Sequence, residues 1–294
     1  MINRLQGVIP PLVTPFTEQG DLDEHRLRAV VNFVCPHVHG LFVCGTYGSG
    51  PLMTATERKR CLEVVLQEVN GQIPVIAHVG TTTSREALDL ACHAASVGAT
   101  AIASIPPYYY QHVEQEVQAY YSALLDAVQI PVYIYNNPKT VGYGVSVDLV
   151  GRLAERGITG IKESSFDLML LGTYFRRVTT PGFDIVLGTE ALLLPATTLG
   201  IQAFIPGLGN AFPELCNELW QACQERDYDR ALDLQWRVND LRDIMYSAGS
   251  TMVAVYELLR ARGIDAGYPR RPFIPLAEED RNQLRNRLRA IGVL

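Results

Sequence analysis

The chain has 294 residues, 48% of them hydrophobic and 19% charged, with a formal net charge of −6 and a pI near 5.6. That length and apolar share are ample for a large buried core in one or two domains. No basic block or Lys/Arg stripe occurs, which argues against a general nucleic-acid or anionic-membrane surface, and no apolar run approaches the roughly 18–20 residues of a membrane helix.

The opening MINRLQGVIPPLVTPF is cut by Pro10, Pro11 and Pro15 and lacks a signal-peptide core; its residues 7–14 are a first strand candidate. Asp21 and Asp23 then open a helical pattern, LDEHRLRAVVNFV, followed by a strand candidate at 40–45. Thr54, with Glu57 three residues on, predicts a capping box at the head of ATERKRCLEVVLQEV. A strand at 74–79 leads to a third helix opened by Ser84, with Ala87, Leu88 and Ala91 in helical spacing. Further strand candidates stand at 99–105, 131–135, 157–162, 183–188 and 202–207, separated by amphipathic stretches.

Eight βα units spaced about 25–30 residues apart predict an α/β fold, a (β/α)8 TIM barrel. The strands are apolar on both faces, as expected when a packed barrel interior lies on one side and helices on the other. A doubly wound open sheet is the rival, but no glycine fingerprint follows the first strand. After residue 225 the strands stop. We therefore expect residues 1–225 to form the barrel and residues 226–294 a C-terminal helical extension packed on it, without chemistry of its own. Cys35, Cys44, Cys61, Cys92, Cys216 and Cys223 form no CxxC pair, and with no secretion signal they are expected to be reduced, mostly buried thiols of a cytoplasmic protein.

Barrel chemistry sits at the C-terminal ends of the strands. Those ends carry Thr46–Tyr47, Pro107–Tyr110, Tyr135–Asn136, Lys162, Gly188–Thr189 and Ile205–Gly209. The group holds one amine, several phenols and small hydroxyls, and no His/Asp/Glu cluster suited to a metal. Imine chemistry needs such a set. A neutral lysine amine attacks a carbonyl carbon, and low-dielectric surroundings favour the neutral amine. Arginine stays protonated and cannot serve. Of 25 Lys+Arg residues only Lys59, Lys139 and Lys162 are lysines, and Lys59 and Lys139 stand in polar surroundings. The plainer alternative for Lys162 is a strand-end lysine paired with Glu163 or another acid. Likewise CGTYGSGP (44–51) is either a glycine-rich turn or an anion nest of backbone N–H groups, and PPYYY (106–110) either surface aromatics or a subunit contact.

Taken together, GTYG, PPYYY, YNNP and GIKESS, in that order after strands two, four, five and six, resemble the pyruvate-dependent class I aldolase superfamily. It includes dihydrodipicolinate synthase, N-acetylneuraminate lyase and 2-keto-3-deoxygluconate aldolase, and the similarity spans essentially the whole chain, from GVIPPLVTPF to GYPRRPFIPL. The resemblance implies that Lys162 forms a Schiff base with pyruvate or another 2-keto acid, with no metal or separate cofactor, and that Tyr135 shuttles protons beside it. It implies that Thr46 bridges a Thr–Tyr–Tyr relay completed by Tyr109, which in the family reaches into a neighbouring subunit's site. The Thr46 and Tyr47 N–H groups would hold the carboxylate, and the Ile205 carbonyl would lie near the pyruvyl group. A homotetramer built as a dimer of dimers is the family's expectation.

Two departures narrow the substrate. The family's usual GTTGE reads GTYGSG, so Tyr47 and Ser49 replace a threonine and a glutamate. Dihydrodipicolinate synthases carry an arginine where Thr140 stands beside Lys139, and loss of that bidentate carboxylate clamp argues against their activity, although Lys139 offers a point charge. The GTxGxGP loop, the run from Tyr135 to Tyr143 and the tail from Gly267 to Leu276 look closest to archaeal-type 2-keto-3-deoxy-sugar-acid aldolases. A hydroxyl-rich mouth of Thr140, Tyr143, Ser164, Thr189 and Ser250, with Gly188 beside it, suits a polyhydroxylated substrate cleaved to pyruvate and an aldehyde. Dihydrodipicolinate synthesis, sialic-acid cleavage and keto-deoxy-acid dehydration are the rivals within the same chemistry. Outside it, a metal enzyme built on His37 and His39 places its ligands before strand two, at the wrong face, and a non-catalytic binding protein would have no use for the retained Lys162, Tyr135, Thr46 and Tyr109.

Overall fold

The computed structural model describes residues 4–294. Eight strands occur where the apolar runs predict them, all but the fifth shorter than the run. They are β1 (Gly7–Val8), β2 (Leu41–Val43), β3 (Val75–His78), β4 (Ala101–Ser104), β5 (Val132–Asn136), β6 (Gly160–Glu163), β7 (Asp184–Leu187) and β8 (Ala203–Phe204). β1 is cut to two residues where Pro10 and Pro11, which have no N–H to give, follow it.

All pairings are parallel, in the order β1-β8-β7-β6-β5-β4-β3-β2. The sheet curls until its two ends meet: His39 N–H donates to Val8 O at 2.8 Å and Phe42 N–H to Pro10 O at 3.0 Å. Helices surround this curled sheet in the manner of a TIM-like barrel: α1 (Glu24–Val34), α2 (Ala55–Val69), α3 (Ser84–Ser96), α4 (Glu114–Ala127), α5 (Pro138–Val141), α6 (Val147–Arg156), α7 (Leu168–Arg177), α8 (Leu193–Thr197) and α9 (Pro213–Glu225). Three more follow, α10 (Tyr228–Ser247), α11 (Thr251–Ala261) and α12 (Glu278–Ala290).

Local signals explain the helix starts. Asp23 caps α1 by accepting from Arg26 N–H. Thr54 and Glu57 form both bonds of the capping box on α2, a device typically worth about 1 kcal/mol. At α3 the cap is Thr83, one residue ahead of Ser84, and it accepts from Glu86 N–H.

The alternation of side chains along the strands creates two cores. Phe42, Ile76, Ala103, Tyr133, Tyr135 and Val186 pack with one another inside the barrel. Their strand neighbours Leu41, Val43, Ala77, Ile102, Ile134 and Ile185 pack outward against the helices. This is why the strands read as apolar on both faces. Register places Tyr135 opposite Lys162 and Lys162 opposite Val186, so all three point to the interior at the same height.

Candidate active site

The three lysines meet three different environments. Lys59 is paired with Asp89 at 2.7 Å on the surface, and Lys139 lies over the Phe166 ring at 3.9 Å. Lys162 is only 4% exposed, with its Nζ 3.9 Å from the centre of the Phe42 ring and 3.8 Å from that of Tyr135. Burial pushes its ammonium well below the usual lysine range. Glu163 is not its partner. Strand alternation turns that carboxylate outward, where it accepts from Asn136 Nδ2 at 2.7 Å and Ser165 N–H at 2.6 Å. Lys162 is thus an amine that the fold surrounds with aromatic faces instead of an acid.

Tyr135 is the best-connected group beside it. Its hydroxyl lies 3.1 Å from Thr46 Oγ1 and accepts from Asn137 Nδ2 at 3.1 Å. Burial pushes the phenol above its usual value, while Thr46, Asn137 and Ser164 hold it back. Its ring meets those of Phe42 and His78 edge-on, with centroids 5.6 and 5.7 Å away. Two rings therefore flank the Tyr135 ring and two groups hold its oxygen, while the Lys162 amine lies over the ring face.

These groups line a cavity of about 190 Å³ at the C-terminal end of the strands, together with Tyr47, Thr140, Ser164, Gly188, Thr189 and Ile205. The Ser164 hydroxyl is buried and makes no well-formed hydrogen bond. Gly188 must lack a side chain, because a Cβ there would stand 1.8 Å from Ser164 Oγ. Glycines in the loop after β2 serve a similar end: a Cβ on Gly50 would stand 1.9 Å from the Cys44 carbonyl oxygen. The loop closes on itself through Ser49 N–H to Thr46 O and Gly50 N–H to Gly45 O, both 3.1 Å.

Several residues of the site are silent in the sequence. Glu190 is buried in the cavity wall and accepts from Gly207 N–H at 3.1 Å. Burial pushes its carboxyl up, and Arg242, 4.0 Å away, opposes that. Phe166, at φ +68°, carries Lys139 on its ring and has the Arg242 guanidinium 5.6 Å from its centre, so two cations flank this cavity-lining ring. Tyr246, Thr251 and Met252 also line the cavity. The helices beyond residue 225 therefore supply part of its wall; α10 and α11 pack on each other there.

Other expected residues lie elsewhere. Tyr143 and Ser250 do not line the cavity, and the Tyr143 hydroxyl donates to Pro107 O at 2.5 Å. Tyr109 is 83% exposed and stacks edge-on against Tyr110. Beyond β4 the chain turns outward through Pro106 and Pro107, so within one chain Tyr109 does not reach Lys162. His39 lies near the other end of the barrel, where Nδ1 accepts from Val8 N–H and the ring packs 4.5 Å from Trp220. Among the described residues no three His, Cys, Asp or Glu side chains gather as a metal site, and no helix is long and apolar enough to cross a membrane. All six cysteines are free thiols, four of them buried.

A sequence profile of the Dihydrodipicolinate synthetase family matches residues 4–291. The chain is 32% identical to the 4-hydroxy-tetrahydrodipicolinate synthase of Methanopyrus kandleri, over 99% of this chain and 98% of that one. It is 30% identical to an N-acetylneuraminate lyase of Clostridium perfringens, over 94% and 96%. The crystal structure of KD(P)GA from T. tenax superposes with a TM-score of 0.90 at 30% identity, covering 98% of this chain and 99% of that one. With a lysine amine at the centre of a strand-end cavity and a family match along nearly its whole length, the chain belongs to the dihydrodipicolinate synthetase family and is a pyruvate-dependent carbon–carbon lyase.

Proposed function

We propose that Lys162 forms a Schiff base with the keto carbon of a 2-keto acid and that the enzyme reversibly cleaves a 2-keto-3-deoxy sugar acid, such as 2-keto-3-deoxygluconate, to pyruvate and an aldehyde. The observation that carries this reading is the acid-free burial of Lys162 between the Phe42 and Tyr135 rings, which pushes its ammonium well below the usual lysine range. The amine adds to the C2 carbonyl, and loss of water gives an iminium. The C3–C4 bond then breaks, its electron pair moving toward the iminium nitrogen, while the C4 hydroxyl gives up its proton and becomes the aldehyde. Tyr135, held by Thr46 and Asn137, is the group placed to take that proton and return it when the enamine is protonated at C3. Water finally releases pyruvate and the free amine. No metal or separate cofactor is required by these steps.

The Thr46–Tyr47 loop is the candidate carboxylate holder, with Ile205 across the cavity, and Ser164, Gly188, Thr189 and Thr140 are candidates to border the sugar chain. We also propose that the chain divides near residue 225 into barrel and extension, and that it works in the cytoplasm as a homotetramer in which Tyr109 of one copy completes the relay of another. Its exposure and its left-handed φ of +81° favour such a role, since an unfavourable backbone at a surface tyrosine needs a compensating contact.

A second reading, condensation of pyruvate with aspartate semialdehyde, is favoured by Lys139 in the cavity lining, a cation that can hold a distal carboxylate without the missing arginine, with Arg242 beside the same Phe166 ring. N-acetylneuraminate cleavage and keto-deoxy-acid dehydration use the same imine. A panel assay of keto-deoxy acids, N-acetylneuraminate, and pyruvate with aspartate semialdehyde decides among them. Pyruvate release from 2-keto-3-deoxygluconate at the highest kcat/KM is expected; pyruvate consumption only with aspartate semialdehyde would replace the first reading by the second.

A further inference from the structure

His78 ends β3 and is 3% exposed, yet none of the steps above uses it. Its ring nitrogens face two backbone groups of opposite polarity. Nδ1 lies 3.1 Å from the Cys44 carbonyl oxygen, a contact that needs a proton on Nδ1. Nε2 faces the Ile105 N–H at 3.4 Å, a contact that needs a lone pair on Nε2. Both requirements select one neutral tautomer. The Arg58 guanidinium, 3.4 Å from Nδ1, is accordingly a neighbour and not a donor to it; its own bonds run to Gly80 O at 3.0 Å and His78 O at 2.6 Å. Burial, Arg58 and Lys162 all disfavour a second proton on the ring.

What Nδ1 holds is the start of the loop that carries Thr46. Cys44 has φ +59°, a conformation disfavoured for a residue with a Cβ, and it directly precedes Gly45–Thr46. The ring itself lies edge-on to Tyr135, whose hydroxyl meets Thr46 Oγ1. Local sequence accommodates the bridge, since a Cβ on Gly80 would stand 2.9 Å from Nε2.

Resting on the assignment of Lys162 as the imine-forming residue, we infer that His78 is a positioning residue: its Nδ1–H fixes the Cys44 carbonyl, and through it sets Thr46 against Tyr135. A leucine or phenylalanine would fill the same space without holding the loop. Only a side chain with a donor at the Nδ1 position meets the requirement, and asparagine carries its amide nitrogen there.

The test uses the full-length protein, pyruvate and borohydride, with the rate of adduct formation on the Lys162 peptide followed for wild type and for His78→Asn, His78→Gln and His78→Leu, and thermal unfolding measured beside it. A displaced catalytic contact lowers rates by up to about a hundredfold. His78→Leu and His78→Gln are expected to trap tenfold or more slowly at saturating pyruvate, on the order of the lower part of that range. His78→Asn is expected to stay within about threefold of wild type, although its smaller side chain leaves a cavity and lowers the melting temperature at least as far as leucine does. Adduct rates that follow melting temperature across the three variants, or that match wild type in all of them, overturn the inference while leaving Lys162 in its role. No adduct in wild type overturns the Lys162 assignment and this inference with it.

Discussion

Strand β5 carries two tyrosines, Tyr133 and Tyr135, that face the same barrel interior and differ only in which end they stand at. Toward the N-terminal end the Tyr133 hydroxyl donates to Asp184 Oδ2 at 3.0 Å, and the Leu5 N–H donates to the same oxygen at 3.0 Å. That end is plugged: donor and acceptor are matched, and the segment before β1 covers them. At the C-terminal end Tyr135 has partners too, but it shares its surroundings with an amine that has no acid and a serine hydroxyl that makes no well-formed hydrogen bond. The barrel thus spends its polar groups on closure at one end and leaves them available at the other. Residue type does not separate the two ends; what remains unpaired does.

The largest expected effect breaks the open end at its centre. Lys162→Arg replaces a titratable amine by a permanently charged guanidinium, which cannot form the imine, and should abolish turnover; substantial activity in a steady-state assay would refute the assignment. Lys162→Met should also abolish turnover yet raise the melting temperature. The sign follows from linkage. Burial lowers the folded-state pKa, so between that value and the unfolded value of about 10.4 the unfolded chain binds more protons. Wild-type stability therefore rises with pH through that window, and its deficit relative to Lys162→Met should shrink as pH approaches about 10.4. Unfolding curves across alkaline pH check this, and a deficit independent of pH would show the amine to be solvated.

The paired tyrosines come next. Tyr135→Phe removes the positioned proton carrier and should lower kcat by roughly 10²–10⁴. Tyr133→Phe should leave kcat near wild type while costing about 1–3 kcal/mol of stability, since it deprives the buried Asp184 of a donor. Kinetics and denaturant unfolding on both variants separate the ends, and equal kinetic losses would erase the comparison. The smallest effect is expected at Ser164. Its hydroxyl makes no well-formed hydrogen bond, so Ser164→Ala should leave stability nearly unchanged and should raise KM only several-fold. A clear loss of stability would mean that the hydroxyl is structural.

Much of this was legible in the chain itself. The eight strands, the capping box of Thr54 with Glu57, and the level placement of Lys162 with Tyr135 and Thr46 follow from local patterns that packing reinforces. The rest depends on contacts between distant segments. Glu190 and Arg242 are 52 positions apart, and nothing in either neighbourhood announces that they meet at the cavity wall. Tyr246, Thr251 and Met252 look like ordinary helix residues until α10 and α11 meet over the barrel mouth. Tyr143 shows the converse error: a phenol in a promising motif that tertiary packing commits to the Pro107 carbonyl. His78 was readable only as one histidine among six, because its significance lies in two backbone partners, 34 and 27 residues away.

The most direct test of the central claim is borohydride reduction in the presence of pyruvate, with peptide mass mapping over all three lysines. The account predicts one adduct, on the peptide containing Lys162, with Lys59 and Lys139 unmodified and no adduct in Lys162→Arg. No adduct at Lys162, or one carried by Lys59 or Lys139, would contradict it.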